Sequence, residues 1–216
     1  MCALLEVFEN RTEAGKKLAE SLERYRSTNA MVLAVPRGGV IVAYEVASAL
    51  DLGLDLIVPR KIPAPTQEEL AIGAVASWGD HELVLDNHAI ALLGVSEEYI
   101  QKAAARQLAE INRRLIAYRG TERPPDVAGR TVILVDDGIA TGYTLRAAAI
   151  ALRHLRAERI VLATPVGAPD SVHSLERHVD EMVCLRTPSP FMAVGYWYRD
   201  FKQVSDAEVI EVMARV

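Results

Sequence analysis

Residues Thr131 to Ala149, TVILVDDGIATGYTLRAAA, set two adjacent carboxylates at the end of an apolar run and follow them with Gly138, Thr141, Gly142 and Thr144. The run Thr131–Val135 is β-branched and shows no polar alternation, the pattern of a strand covered on both faces of a parallel sheet. Asp136 and Asp137 therefore fall at the carboxyl end of a buried strand, where open α/β sheets collect ligands. Two neighbouring acids repel each other there, and a purely structural turn is served as well by Asn or Ser. The residues that follow are small or carry hydroxyls, so backbone N–H groups can converge at the positive start of a helix. Acceptors beside donors suit a ligand with both hydroxyls and a phosphate, such as a ribose 5-phosphate.

Strands and helices alternate on either side of this stretch. Upstream, Ala14, Leu18, Leu22 and Tyr25 form one helical stripe. Met31–Val35 reads as a strand, Pro36-Arg37-Gly38-Gly39 as a turn, Val40–Leu50 as a helix and Asp55–Val58 as a second strand. Pro59, Pro63 and Pro65 then exclude helix and central strand, which predicts that a loop begins there. Ala71–Ser77 and Glu82–Leu85 have the pattern of a hairpin. Ser96 caps a helix with the stripe Ile100, Ala104, Leu108, Ile111, Leu115 and Tyr118, and Glu97 and Glu98 sit at its positive end. Downstream come a helix over Leu145–Leu155, a strand over Ile160–Ala163, a short helix over Asp170–Glu176 and a last strand over Met182–Leu185. Residues 186–203 are irregular and aromatic, and Ser205-x-x-Glu208 opens a terminal helix with a capping box. This alternation predicts an α/β fold, a parallel doubly wound sheet in a single domain over 1–216.

Composition narrows the partners. Acidic residues outnumber basic ones, 29 to 24, and the sequence pI near 5.6 gives no general attraction to nucleic acid or to an anionic membrane. Cys2 and Cys184 cannot build a disulfide framework, and the five histidines show no zinc-type spacing. No stretch reaches the roughly 18 apolar residues of a spanning helix. Glu6, Glu9 and Asn10 do not fit a signal peptide. A soluble, cytoplasmic protein is the expectation.

Val132 to Thr144, VILVDDGIATGYT, resembles the phosphoribosyl pyrophosphate (PRPP) motif of type I phosphoribosyltransferases at thirteen consecutive positions. The resemblance implies that Asp136 and Asp137 hold the ribose hydroxyls. Gly138, Ile139, Ala140, Thr141, Gly142, Tyr143 and Thr144 would wrap the 5-phosphate. It implies a core over about 30–186, and a small hood formed by about 187–216 with the N-terminal helix. A flexible loop from Pro63 to Leu85, carrying Glu68 and Glu69, would close over the reactants. Val35-Pro36-Arg37-Gly38-Gly39 resembles the family's pyrophosphate loop, and Pro59-Arg60-Lys61 stands where the family carries further cations. In the stretch FMAVGYWYRDFKQ (191–203), Phe191 and Trp197 are candidates to stack on the base, with packing against the last strand and helix as the alternative for each ring. The likeness spans about residues 30 to 200 and is similar above all to a bacterial group called predicted phosphoribosyltransferases.

In the reaction so implied, the bond from ribose C1 to pyrophosphate breaks, leaving positive charge on the sugar and negative charge on the leaving group. Asp136 and Asp137 would face the first and Arg37 and Lys61 the second, which makes these four the catalytic candidates. Mg²⁺ is the implied cofactor. It prefers phosphate oxygens, waters and one or two carboxylates, so it would arrive with PRPP and meet Asp136 and Asp137 indirectly. PRPP and a nucleobase-like acceptor are the implied partners, and a homodimer stays open. One position departs from the hypoxanthine-guanine enzymes, which place an acid where this chain has Ala140. A non-catalytic PRPP- or nucleotide-binding regulator of the same fold is the alternative, although no DNA-binding segment accompanies the acidic balance. A phosphoacceptor receiver would carry its acids after the first strand, and a dinucleotide-binding fold would need a G-x-G-x-x-G that is lacking here.

Overall fold

A computed structural model describes residues 7–65, 67–76 and 83–216; Cys2, Glu6, Thr66, Ser77 and Glu82 lie outside them. The described elements are α1 (Arg11–Ser21), a 3-10 turn (Glu23–Tyr25), β1 (Met31–Ala34), α2 (Gly38–Leu50), β2 (Gly53–Leu56), β3 (Pro59–Ala64), β4 (Gln67–Ala76), β5 (Leu83–Leu85), α3 (Asn87–Leu93), α4 (Glu97–Arg119), β6 (Thr131–Val135), α5 (Tyr143–His154), β7 (Arg159–Val166), α6 (Pro169–Glu176), β8 (Glu181–Arg186), a second 3-10 turn (Val194–Trp197) and α7 (Asp206–Met213).

Five strands form one parallel sheet in the order β2-β1-β6-β7-β8. β1 pairs with β2 on one side and β6 on the other, so the winding reverses between β1 and β6. Alternate residues of β6 serve opposite faces: Ile133 and Val135 pack with α1, α2 and α7, whereas Val132 and Leu134 pack with α5 and α6. Both faces are covered, which explains the apolar run of the sequence. Val132 to Val135 are fully buried, and each such side chain contributes about 1.5–3 kcal/mol relative to an exposed one.

Local signals set the helix ends. Ser96 Oγ accepts from the N–H of Tyr99 at 3.3 Å, and Gly120 closes α4 in the left-handed conformation. The capping box of α7 is present, with Glu208 N–H donating to Ser205 Oγ at 3.2 Å and Ser205 N–H donating to Glu208 Oε2 at 2.7 Å.

The proline-rich stretch corrects one expectation. Pro59–Ala64 is the strand β3, at the edge of a three-stranded antiparallel sheet in the order β3-β4-β5. Proline lacks an N–H to donate, but an edge strand can spare one, and the ladder shifts register on either side of Pro63. The prolines exclude a central strand and not a strand altogether. β4 and β5 pair antiparallel, as the hairpin pattern predicts. α3 is an addition that no periodicity announces; the Asp86 side chain accepts from Ala89 N–H at 2.9 Å at its start. The small sheet shares its own apolar cluster with α4, through Ile62, Ile72, Val75, Ile100, Ile111 and Leu115. It also packs against α5, which brings β3 close to the loop that opens that helix.

The irregular tail folds back onto the beginning of the described chain. Phe8 N–H donates to Trp197 O, and Arg199 N–H donates to Phe8 O, both at 2.8 Å. Phe8, Ala14, Val166 and Tyr198 form a buried cluster over the end of β7. Among the described residues no helix is long and apolar enough to cross a membrane.

Candidate active site

β6 delivers Asp136 and Asp137 beside the turn that follows β1, at the point where the winding reverses. The peptide between Pro36 and Arg37 is cis. Gly38 and Gly39 then bring the start of α2 against the acids. A Cβ on Gly38 would overlap the Asp137 carboxylate, and one on Gly39 would lie 2.9 Å from Asp136 Cα. The two glycines are required for the two loops to touch, whatever else they face.

The acid pair is largely shielded from water. Asp136 Oδ1 accepts from the N–H of Asp137 at 2.8 Å. Burial, and then the neighbouring charge of Asp137, hold the Asp136 carboxyl well above the usual carboxylate range. Burial also raises Asp137, and the Arg11 guanidinium opposes that rise. Arg11 Nε lies 2.7 Å from Asp137 Oδ2. Tyr198 donates its hydroxyl to the Asp137 carbonyl at 2.5 Å, and burial raises that phenol far above its ordinary value.

The loop after the acids joins β6 to α5. Gly142 has φ 76°, a left-handed conformation that favours glycine and aims the chain into the helix. Ile139 is a core side chain, 1% exposed, and its backbone is engaged within the protein. Its N–H donates to Val166 O at 2.9 Å and its carbonyl accepts from Ala168 N–H at 2.8 Å. Ser171 Oγ donates to the Ala140 carbonyl at 2.6 Å. These ties fix the loop before any ligand arrives. Residues Gly138 to Gly142 and Thr144 line a cavity of about 150 Å³ together with Asp136 and Lys61, at the N-terminus of α5. Tyr143 stands outside that lining, 37% exposed.

A wider cleft of about 490 Å³ shares Lys61 and Thr144 with it and is also lined by Pro36, Arg60, Gln107 and Arg114. Arg60 Nε donates to Gln107 Oε1 at 3.0 Å. Burial, and next the charge of Arg114, depress the Arg60 pKa. Such a cluster of cations favours an anionic ligand. Arg37, which the resemblance sets at the leaving group, pairs with Asp206 of α7 at 3.4 Å, and Asp206 also accepts from the Tyr118 hydroxyl at 2.6 Å.

Phe191 and Trp197 are partly buried and pack against the cluster of Phe8 and Tyr198. Among the described residues no group of three or more His, Cys, Asp or Glu side chains converges as a metal cage. Arg11, Gln107 and Arg114 carry no signal in the sequence that marks them for the site. Arg11 is 126 positions from its partner Asp137, and no spacing rule connects them. Gln107 and Arg114 lie seven apart on α4, outside the apolar stripe, where they look like solvated side chains.

Fold and site together define an α/β protein with an acid pair and a glycine-containing loop at its topological switch point. Residues 5–198 match the model of the phosphoribosyl transferase domain, and the chain belongs to that family. It is 41% identical over 212 residues, 98% of this chain, to a Mycobacterium tuberculosis protein named "Putative phosphoribosyl transferase". The chain spans 47% of that relative's length. The crystal structure of TT1426 from Thermus thermophilus superposes with a TM-score of 0.83 at 39% identity, covering 97% of this chain and 98% of that one. A shorter match, 40% identical over 73 residues, is to the ribose-phosphate pyrophosphokinase of Pyrococcus furiosus and covers 32% of this chain and 26% of that enzyme.

Proposed function

We propose that this chain is a phosphoribosyltransferase that moves the 5-phosphoribosyl group of PRPP to a nitrogenous base, or back, with release or uptake of pyrophosphate. One observation carries the reading: Asp136, Lys61, the loop Gly138 to Gly142 and Thr144 line a single cavity at the switch point, acceptors beside donors. The loop and the start of α5 would take the 5-phosphate. Asp136 and Asp137 would stabilise the sugar as positive charge develops, and Lys61, Arg60 and Arg114 would face the pyrophosphate. Arg37 would join them on leaving Asp206.

Mg²⁺ fits the residues present. Two carboxylates beside a phosphate site suit an ion that keeps several waters and enters with its substrate, and Asp136 and Asp137 would hold it through the ribose hydroxyls. When bound, it would supply positive charge to the pyrophosphate oxygens. We place this reaction in the cytoplasm and take Phe191 and Trp197 as the rings nearest a base.

Calorimetric titration with PRPP, with and without Mg²⁺, tests the reading, followed by a screen of bases for pyrophosphate release. Saturable PRPP binding with turnover of at least one base is expected. Absence of PRPP binding overturns the reading, and PRPP binding without turnover of any base turns it into that of a regulator.

The acceptor is constrained by Ala140. A positioned acid–base group contributes about 10²–10⁴-fold, and Ala140 cannot supply one to a 6-oxopurine. Hypoxanthine and guanine are expected to turn over more slowly than the preferred base by about that factor. Steady-state assays with adenine, hypoxanthine, guanine, uracil and orotate at saturating PRPP check this. Hypoxanthine or guanine as the fastest acceptor would place the acid elsewhere.

A further inference from the structure

Two adjacent cations leave β3 on opposite faces. Residues two apart share one face of a strand, so Arg60 stands with Ile62, a member of the apolar cluster that the small sheet shares with α4. Lys61, on the other face, lines the small cavity of the loop after β6. Arg60 therefore meets α4, where Gln107 Oε1 accepts from its Nε at 3.0 Å. The same helix holds the strand a second time, through the Tyr99 hydroxyl, which donates to the Pro63 carbonyl at 3.1 Å.

The other arginines around the site meet carboxylates. Arg11 bonds Asp137, Arg37 bonds Asp206, and Arg114 bonds Glu110 at 2.7 Å. Glu110 is shared with Arg113, also at 2.7 Å, and the two guanidiniums, Arg113 first, hold its carboxyl down at about 2. Arg60 stands half-buried beside them and forms no ion pair among the described residues; its partner is a neutral amide. Arg60, Arg113 and Arg114 thus set three positive charges against the one negative charge of Glu110, and Arg60, Gln107 and Arg114 line the cleft of about 490 Å³. A shielded charge left uncompensated is costly. The excess faces the opening through which an anion can enter.

We propose that Gln107 is a positioning residue: its amide fixes the Arg60 guanidinium at the cleft and leaves the charge whole for an anion with several negative charges, such as pyrophosphate. That this anion is the leaving group rests on the PRPP reading above. With Nε committed to Gln107, the Nη groups keep the planar fork that matches two phosphate oxygens. A purely structural tie between α4 and β3 is served at least as well by glutamate, which accepts the same bond and adds the attraction of opposite charges. Glutamate would also cancel the charge that the cleft presents. The amide holds Arg60 without spending it.

The test is calorimetric titration of the intact protein with inorganic pyrophosphate, with thermal melts alongside, in the unmodified protein and in Gln107→Glu, Gln107→Ala and Gln101→Glu. Gln101 is exposed and adds the same charge at a different point of α4. In Gln107→Glu the pyrophosphate Kd rises about tenfold or more, the low end for a hydrogen bond between charged groups, while the melting midpoint stays level or rises. Gln107→Ala raises Kd about two- to tenfold, because Arg60 must then be immobilised on binding. Gln101→Glu leaves it near the parent value. An unmodified protein that binds no pyrophosphate, a folded Gln107→Glu that binds as the parent does, or an equal loss in Gln101→Glu overturns the proposal. If Gln107→Glu does not fold, Gln107→Ala decides, and an unchanged Kd there overturns it. The expected pattern in a protein that turns over no base sinks the transferase reading and keeps Gln107 as the positioning residue of an anion site.

Discussion

Asp136→Asn weakens PRPP binding about 10- to 150-fold, the equivalent of the 1.5–3 kcal/mol of a hydrogen bond to a charged acceptor, and at the same time raises the midpoint of thermal unfolding at pH 7. The second effect follows from the shielded position of the acid. Its pKa is higher in the folded protein than in the unfolded chain. Its contribution to stability is therefore full below the unfolded value and is lost as the pH rises through the folded value. Above the unfolded value the shielded acid costs stability in either protonation state, and the amide removes that cost. Asp137→Asn goes the other way, because it strands the guanidinium of Arg11. Breaking a buried pair from one side costs about 3–5 kcal/mol, and the lower end applies here, since the two side chains keep 10% and 15% of their exposure. Calorimetry with PRPP and thermal melts of both variants check the pattern. An unchanged affinity in folded Asp136→Asn removes the central claim about the site, and melts that shift in the same direction remove the asymmetry between the acids.

Gly38→Ala is expected to damage both the fold and the site. The added methyl group would overlap Asp137 Oδ2 and come within 2.8 Å of Arg11 Nε. Neither neighbour can withdraw, for Asp137 is held by Arg11, and Arg11 is pinned by Lys202 O and the Phe201 ring. Overpacking of this kind costs about 1–3 kcal/mol, with displacement of the ion pair in addition, and PRPP binding should fall below detection. Gly53→Ala is the control, because a Cβ there meets nothing within 4 Å. In urea titrations the midpoint of Gly38→Ala should drop while that of Gly53→Ala stays near the parent, with the slopes alike. Equal midpoints would show that the turn after β1 yields more easily than its contacts indicate.

What could be read beforehand was local. β6 with its acids and the following loop, α4 with its Ser96 cap, and the box at Ser205 are all written in residues a few positions apart, where periodicity and side-chain chemistry suffice. β3 was hidden because proline forbids an interior place in a sheet and says little about an edge, so Pro59 and Pro63 pointed to a loop. α3 has seven residues, too few for a stripe to show. The partners of the candidate side chains were hidden for a different reason. Arg37 meets Asp206 and Arg11 meets Asp137 across long sequence separations. A lone arginine has no pattern of its own until the fold brings its carboxylate. The rings of 191–203 were visible as a cluster, yet only the packing shows Tyr198 and Phe201 turned to the acid and its counter-ion.

The clamp formed by Arg11, Asp137 and Lys202 also bears on the order in which the molecule can be made. Synthesis proceeds from the N-terminus and folding follows it at about 5–20 residues per second. All five parallel strands are available once Arg186 has emerged. Tyr198, Phe201 and Lys202 come later, and until they do, Arg11 lacks two of its three anchors. The sheet can therefore form on the ribosome before its acids are correctly held. A chain released just short of Tyr198 would lack these anchors and also α7, whose Val209 and Val212 cover one face of the sheet, so its cleft and its core would both be unfinished.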